Sequence, residues 1–296
     1  MLLTRTCFAG EVPTTEPEFK GDGLCQFALH GFALTAQSEA SINQAVEKLI
    51  AKHELAFGFR RSPEFRLRMR VYSRFVDFTN STAMRGLTNL QGVYVSRTKE
   101  IVTFRQEIPG SLGTTLLHEA SHAIMDAHFR RSPQWLLEGC AEYFAYPPDM
   151  QDARDKFSLR TRWGLLNIWM RDGKLASLSS FVNLKQADWD KLDIDRAYTT
   201  SWSIFQYLAS SEANRMVVRK LLTPRGFQGE LSSEGSPRAE TDGATLLEKE
   251  YPGGLKKLEM DWHRWIVQTG RQLFPERSLD RLRELDQERE RRQGGP

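Results

Sequence analysis

The chain has 296 residues, enough to bury a sizeable apolar core and a recessed site in one large domain or two lobes. Hydrophobic residues make up 40% and charged residues 27%, which is typical of a globular protein rather than a disordered or fibrous one. The 41 basic and 38 acidic side chains nearly balance, no basic stripe is interleaved with aromatic residues, and no apolar run approaches the roughly 18 residues that cross a bilayer. We therefore expect neither a nucleic-acid partner nor a membrane span.

The first 23 residues are predicted to be a flexible lead-in. Their apolar start consists of two leucines and is interrupted at Arg5, whereas a secretory signal has an apolar stretch of about 7–15 residues. The three cysteines cannot all pair with one another. Cys7 and Cys25 could form one bridge, and Cys140, in an apolar helical stretch, is predicted to be a plain core residue.

The residues that follow predict a small sheet with one covering helix. Residues 23–34 have the pattern of a strand, and residues 41–57 place apolar side chains at helical spacing. Residues 65–78 alternate apolar side chains with arginines, which predicts a strand with one solvated face. Two short β-branched and aromatic segments, residues 92–96 and 100–107, predict a hairpin.

Helices are predicted for the rest of the chain. Ser111 can cap a helix that carries the motif described below, and Ser132 with Pro133 can begin the next one. Further helical patterns cover residues 153–171, 198–213, 215–222 and 255–268, with a Gly/Ser/Glu-rich loop at 225–243. The sequence thus predicts an α+β fold in which a small mixed sheet packs on the motif helix. The predicted divisions are the lead-in at 1–23, an α/β lobe at 24–148, a helical lobe at 149–275 and a charged tail, solvated or fraying, at 276–296.

The stretch TTLLHEASHAIMDAHF, residues 114–129, contains His118-Glu119-Ala-Ser-His122. Two histidines four apart on a helix project from the same face, so both imidazoles can reach one metal ion at about 2.0–2.1 Å. Glu119 lies about 100° round the helix from His118 and can touch a water molecule on that metal, as a general base would. The similar start KHELAF, residues 52–57, lacks the second histidine and predicts no site.

A catalytic zinc needs a third protein ligand and one open position. The helix after Ser132 offers Glu138 and Glu142, four residues apart on one face of an otherwise apolar segment, and carboxylates on a mostly buried helix need partners. If Glu138 binds the ion, Glu142 can accept the other ring N–H of a ligating histidine and fix its tautomer. Without a metal, the two glutamates would instead meet arginines, of which Arg130 and Arg131 are the nearest in sequence.

The phrases LLHEASHAIMD and PQWLLEGCAEYF resemble the gluzincin metallopeptidases, most closely the peptidase MA-like domains of bacterial proteins. In those domains a glycine-tyrosine hairpin, an HExxH helix and a helix with the pattern W-x-x-E-G-x-A-E-Y-F follow in that order. The resemblance implies that His118, His122 and Glu138 are the zinc ligands. It also implies that Glu119 is the catalytic base and proton shuttle, and that Glu142 orients a ligand.

The resemblance implies further roles. The strand at 101–106 would be an edge strand against which an extended peptide could add. Asp126 matches an acidic residue of thermolysin-like helices, with a plain surface aspartate as the alternative. Tyr198 is the candidate for the tyrosine that such enzymes often place over the metal, where it would donate to an oxyanion, with a core tyrosine as the alternative. The resemblance also implies an exported bacterial protein, which the N-terminus does not support.

The sequence therefore predicts a single-zinc metallopeptidase that cuts within a peptide or protein substrate. The upstream stretch glycine-x-methionine-glutamate-asparagine of the aminopeptidases is absent, which argues against capture of a free substrate N-terminus. The alternative is a non-catalytic zinc-binding domain that uses the same cleft to bind peptides or to act as a scaffold. The remaining histidines considered, His30, His128 and His263, are predicted to be structural or to lie at the surface.

Overall fold

The computed structural model describes residues 18–81, 91–105, 111–130, 132–146, 153–224, 243–274 and 276–293. Its elements are β1 (Cys25–His30), α1 (Ala36–Phe57), β2 (Leu67–Tyr72), α2 (Phe75–Asn80), β3 (Gly92–Val95), β4 (Glu100–Phe104), α3 (Ser111–His128), β5 (Phe129–Arg130), α4 (Gln134–Ala145), α5 (Ala153–Arg171), α6 (Leu178–Val182), α7 (Gln186–Trp189), α8 (Ile194–Ala209), α9 (Glu212–Leu221), β6 (Thr223–Pro224), α10 (Gly243–Glu250), α11 (Gly254–Leu273) and α12 (Glu276–Gln293). The fold is α+β, as predicted. No helix among the described residues is long and apolar enough to cross a bilayer.

The main sheet has four strands in the order β1-β2-β4-β3. β1, β2 and β4 run parallel, and β3 is antiparallel to β4, so the predicted hairpin is confirmed. The prediction that residues 101–106 form an edge strand is wrong. β4 pairs with β2 on one side and with β3 on the other, because the hairpin folds outward from the parallel strands. The edge of the described sheet on this side is therefore β3.

The arginine-rich segment at 65–78 differs from its prediction in two ways. Only its first part is a strand, and the second part turns into the short helix α2. The face that carries the arginines is only partly solvated, since the side chain of Arg68 is 42% exposed whereas Arg70 and Tyr72 are buried. Arg70 is only 9% exposed, and its Nε donates to Glu100 on β4 at 3.1 Å, while the guanidinium lies over the ring of Phe19. Paired arginines thus occupy an interior strand.

Helix α1 crosses from β1 to the parallel strand β2 and begins earlier than predicted. Thr35 caps it, since its hydroxyl accepts the N–H of Ser38. The helix ends at Gly58, which adopts the left-handed conformation with φ 76° and donates its N–H to Glu54 O. Val46, Leu49 and Ile50 are buried in the main core, and α1 also packs against α3.

The helices of the C-terminal half largely follow the sequence pattern. The helix predicted at 153–171 has those bounds in α5. Helices α8 and α9 begin earlier than predicted because polar caps precede their first apolar residues: Asp193 accepts the N–H of Arg196, and Ser211 that of Asn214. Helix α11 runs further than predicted, and the short helices α6, α7 and α10 have no counterpart among the predictions. The loop predicted at 225–243 lies almost entirely outside the described residues.

Helices α4 and α8 pack with their backbones close together. A Cβ atom at Gly139 would lie 2.5 Å from the carbonyl oxygen of Ser201 and 3.0 Å from Cβ of Phe205, so only glycine allows the two backbones to approach this far. Buried side chains from β1 to α12 form one continuous core, whose largest fully buried members are Trp135, Trp169, Trp202 and Trp262. The division into lobes at 148 and 149 stays a prediction.

The charged tail is not a fraying helix. Helix α12 packs against α5, and Asp286 is only 4% exposed although it lies in a segment rich in charge. Its carboxylate accepts the indole N–H of Trp169 at 2.7 Å, and Glu290 pairs with Lys174. Two acidic side chains of α12 therefore accept hydrogen bonds from α5 and the residues after it, which the charge pattern alone does not predict.

Candidate metal centre

Helix α3 places His118 and His122 side by side. They are four residues apart on one face, and their Nε2 atoms lie 3.1 Å from each other. The helix packs on β3, β4, α1 and α4, so both imidazoles lie in the interior, with side-chain exposures of 9% and 16%. Both nitrogens therefore point at one small region, as the sequence predicts.

Glu138 on α4 completes a group of three possible metal ligands. Its Oε2 lies 3.3 Å from Nε2 of His118 and 3.5 Å from Nε2 of His122. Gln134 donates to the other carboxylate oxygen at 2.7 Å. Among the described residues, Oε2 accepts no hydrogen bond of acceptable geometry although it is buried.

These separations fit a single metal ion. Ligand atoms about 2.0–2.1 Å from a tetrahedral ion lie about 3.3–3.4 Å from one another, close to the three distances found here. The buried charge of Glu138 needs compensation, which the two imidazoles supply in the metal-free chain and which a cation between the three side chains would supply when bound. The buried group formed by His118, His122 and Glu138 could thus hold a metal ion.

Glu142 lies one turn after Glu138 and orients a histidine. Its Oε1 is 3.0 Å from Nδ1 of His118, which assigns the ring proton to Nδ1 and leaves Nε2 for a ligand. Its Oε2 accepts from Arg162 of α5. Burial opposes ionisation of Glu142, but the Arg162 charge and the contact with His118 lower its pKa to about 2. Glu142 therefore stays a carboxylate that accepts hydrogen bonds.

The protonation of His118 follows from the same contacts. Burial disfavours the charged imidazole, but contacts with Glu138 and Glu142 outweigh that penalty and raise its pKa well above 6.5. In the metal-free chain, His118 thus carries a proton at neutral pH that a metal ion must displace.

Glu119 faces the same region from the neighbouring position on α3. It is 7% exposed, and its carboxylate accepts the backbone N–H of Tyr94 on β3. Gly92 permits this contact, since a Cβ atom there would lie 2.7 Å from Thr115 and 3.4 Å from Cγ of Glu119. Burial raises the pKa of Glu119 above its usual value, and the charge of Glu138 raises it further against the lowering effect of the two histidines. A buried carboxylate with a raised pKa accepts a proton more readily than an exposed one, as a general base must.

Tyr198 on α8 lies beside His118. Its ring stacks on the imidazole of His118 with centroids 5.8 Å apart. Burial raises the pKa of the phenol, and the negative charges of Glu138 and Glu119 raise it further. The hydroxyl therefore keeps its proton and can donate it in a hydrogen bond.

Asp126 lies one turn after His122 on α3. Its Oδ2 accepts from the hydroxyl of Tyr94 at 2.7 Å and from Nζ of Lys99 at 2.5 Å. The aspartate thus ties α3 to the β3–β4 hairpin. A role in orienting a metal ligand stays a prediction.

Several residues around the site have no signal in the sequence. Arg162 is twenty positions beyond Glu142 in the chain, and nothing in the local pattern marks it. The metal-free alternative predicts that Glu138 and Glu142 both meet arginines. Glu142 does meet one, Arg162, whereas Glu138 lies against the two histidines and Gln134. The side chains of Arg130 and Arg131 lie outside the described residues. The start KHELAF at 52–57 is predicted to form no site, and His53 does not belong to the metal group; it is instead fully buried against α3 and α4.

The other histidines and cysteines have structural surroundings. His30 stacks on Tyr72 and His128 on Phe59. Cys25 is a buried free thiol, and Cys7 lies outside the described residues. Within the described part of the chain, the group on α3 and α4 is the one cluster of histidine, cysteine and carboxylate side chains suited to a metal.

No protein-family model matches the chain, and no curated protein matches it in sequence.

Proposed function

We propose that the protein is a zinc-dependent metallopeptidase with a zincin-like arrangement of sheet, motif helix and glutamate helix. The observation that carries this proposal is the convergence of His118, His122 and Glu138 at about tetrahedral spacing beside the buried carboxylate of Glu119. Two imidazoles and one carboxylate with a position left open are the ligand set of zinc peptidases. The motif resemblance to gluzincins points to the same chemistry.

The chain's own residues have distinct roles in this proposal. Zinc, when bound, supplies a Lewis acid that polarises a carbonyl group and lowers the pKa of water. Glu119 accepts the proton of the attacking water and delivers it to the leaving amine, for which its raised pKa is suited. Glu142 holds His118 in the tautomer that leaves Nε2 free. Tyr198 donates a hydrogen bond to the oxyanion.

A peptide substrate is favoured by the position of β3. This strand is an edge of the described sheet, and Tyr94 directs its backbone N–H away from β4 and toward Glu119. An extended peptide added along this edge would run beside the general base, with backbone hydrogen bonds supplying much of the affinity. Recognition of the backbone rather than a terminus is consistent with cleavage within a chain.

The metal is tested first. Purified protein is analysed by plasma mass spectrometry beside a His122→Ala variant. We expect about one zinc per wild-type chain, lost in the variant because two ligands hold zinc far less tightly than three. Wild-type protein that takes up no zinc even when it is supplied would refute the proposal.

Catalysis is tested by separating binding from turnover. Glu119→Ala should keep one zinc per chain and abolish cleavage of a mixed peptide library, because the ligands remain and the proton acceptor is gone. Glu64→Ala, on an exposed side chain between α1 and β2, is the matched control and should cleave like wild type. Zinc-loaded wild type that cleaves no peptide in the library would favour the non-catalytic zinc-binding alternative.

A further inference from the structure

A second polar cluster lies in the core next to the metal centre. It consists of His53 from α1, Ser121 from α3 and Cys140 from α4, none of which has exposed surface. Nε2 of His53 lies 2.9 Å from Oγ of Ser121 and 3.5 Å from Sγ of Cys140. The hydroxyl and the thiol are 3.6 Å apart. Three side chains from three helices therefore meet at one point, which we call the core triad.

The contacts of His53 determine which groups of the core triad donate hydrogen bonds and which accept them. Nδ1 of His53 lies 2.9 Å from Leu49 O, which can only accept, so Nδ1 carries the ring proton and Nε2 is an acceptor. Burial lowers the pKa of His53 to about 3, so the ring is neutral near neutral pH. Ser121 therefore donates to His53. Burial raises the pKa of Cys140, and its weak S–H donor faces the oxygen of Ser121.

The core triad is not a second catalytic site. Serine and histidine at hydrogen-bonding distance can act as nucleophile and base, but only where a substrate can reach them. His53, Ser121 and Cys140 are each 0% exposed, and the ring of Phe144 covers the imidazole with centroids 4.1 Å apart. The contribution of these residues must therefore be to the position of the helices.

The placement of the core triad links it to the metal ligands. Ser121 directly precedes His122 on α3, and Cys140 lies between Glu138 and Glu142 on α4. Adjacent residues on a helix point about 100° apart, so a bond at one face fixes how the helix is rotated at the other. Turning α3 against α4 would leave buried polar groups unpaired, which is strongly unfavourable.

We propose that the core triad holds α3 and α4 in register and so preorganises the metal site. This inference rests on the proposed zinc function. His53, Ser121 and Cys140 are positioning residues in this scheme. They act on the metal only through the orientation of the two helices that carry its ligands.

The test compares zinc affinity with stability. Ser121→Ala removes the central hydroxyl, and we expect zinc to bind several-fold more weakly, less than the about 10–100-fold that loss of a direct hydrogen-bond partner of a ligand costs. One zinc per chain should still bind at saturation. The control is Ile50→Val on α1, which removes a buried methyl group and no hydrogen bond, and should lower stability without changing zinc affinity.

A rescue variant separates the hydrogen bond from the packing. His53→Gln offers an amide oxygen near the place of Nε2 and should bind zinc more tightly than His53→Leu, which offers no acceptor. Affinity is measured by competition with a chromophoric zinc chelator, and folding by circular dichroism. If His53→Leu does not fold, Ser121→Ala and Ile50→Val decide the question.

The outcomes are distinct from those that test the proposed function. Wild type that binds zinc while Ser121→Ala and His53→Leu bind it equally well would overturn the role of the core triad alone. An equal loss of affinity in Ile50→Val and Ser121→Ala would also overturn it, because stability rather than register would then be the cause. Wild type without zinc would instead overturn the proposed zinc site.

Discussion

The contact between α4 and α8 gives a prediction whose size can be worked from the structure. In Gly139→Ala the new methyl group would lie 2.5 Å from Ser201 O and 2.9 Å from its carbonyl carbon, where about 3.4 Å is an ordinary contact. The obstacle is backbone, so the helices must separate by several tenths of an ångström. Overpacking of this kind costs about 1–3 kcal/mol. The helical preference for alanine over glycine, about 1 kcal/mol, offsets part of that cost.

Separation of α4 from α8 should also change the geometry of the proposed metal site. Helix α4 carries Glu138 directly before Gly139, and α8 carries Tyr198. We therefore expect Gly139→Ala to lower the free energy of unfolding of the zinc-free protein by up to about 2 kcal/mol, measured by urea unfolding. We also expect weaker zinc binding, measured by chelator competition.

The matched control is Gly113→Ala on α3. A Cβ atom there would meet no described atom within 4 Å, so the substitution should be neutral or stabilise by up to about 1 kcal/mol. Gly139→Ala with the stability and zinc affinity of Gly113→Ala would show that the two helix backbones are not in close contact, and the reasoning would fail.

Three further predictions follow from the buried charges. Zinc binding at pH 7 should release a proton, because the pKa of His118 is raised well above 6.5 and its Nε2 must lose a proton to bind the metal. Calorimetry in buffers of different ionisation enthalpy measures this release. The zinc affinity should also fall as the pH is lowered. The free energy of unfolding should decrease as the pH falls from about 6.5 toward 3, because the His53 ring binds a proton in the unfolded chain but stays neutral in the folded one. The full effect approaches 4–5 kcal/mol, at about 1.4 kcal/mol for each pH unit. Urea unfolding at a series of pH values should show a smaller pH dependence in His53→Gln than in wild type. Arg162→Met should weaken zinc binding about 10-fold by releasing Glu142, whereas Arg160→Met, at an exposed position on the same helix, should not; equal affinities would contradict the role given to Arg162.

The parts of the site that the sequence reveals are those set by local geometry. Residues four apart on a helix share a face, so the pairs His118 with His122 and Glu138 with Glu142 follow from spacing once each helix is recognised. The β3–β4 hairpin is equally local, since its strands are joined by a short turn. Burial of the two glutamates in an apolar segment signals that they need partners, and this expectation agrees with their contacts.

What the sequence does not reveal depends on packing between distant segments. The alternation of residues 65–78 predicts a solvated arginine face, but Arg70 is buried, and both Arg68 and Arg70 pair with Glu100 on the neighbouring strand. Arg162 and His53 reach the site from α5 and α1, and no periodicity relates them to the motif. The acidic residues of α12 likewise look solvated until α5 supplies the donor from Trp169.

The order of the site residues along the chain has a consequence for biosynthesis. His118, His122 and Glu138 leave the ribosome before Arg162 and Tyr198, which lie on α5 and α8. A nascent chain that ends before these helices carries all three residues of the proposed metal site. It lacks Arg162, which holds Glu142 against His118, and it lacks the helix against which α4 packs. We expect such a chain to hold a metal only loosely, so that metal loading follows synthesis of the helical half rather than guiding the first half to fold.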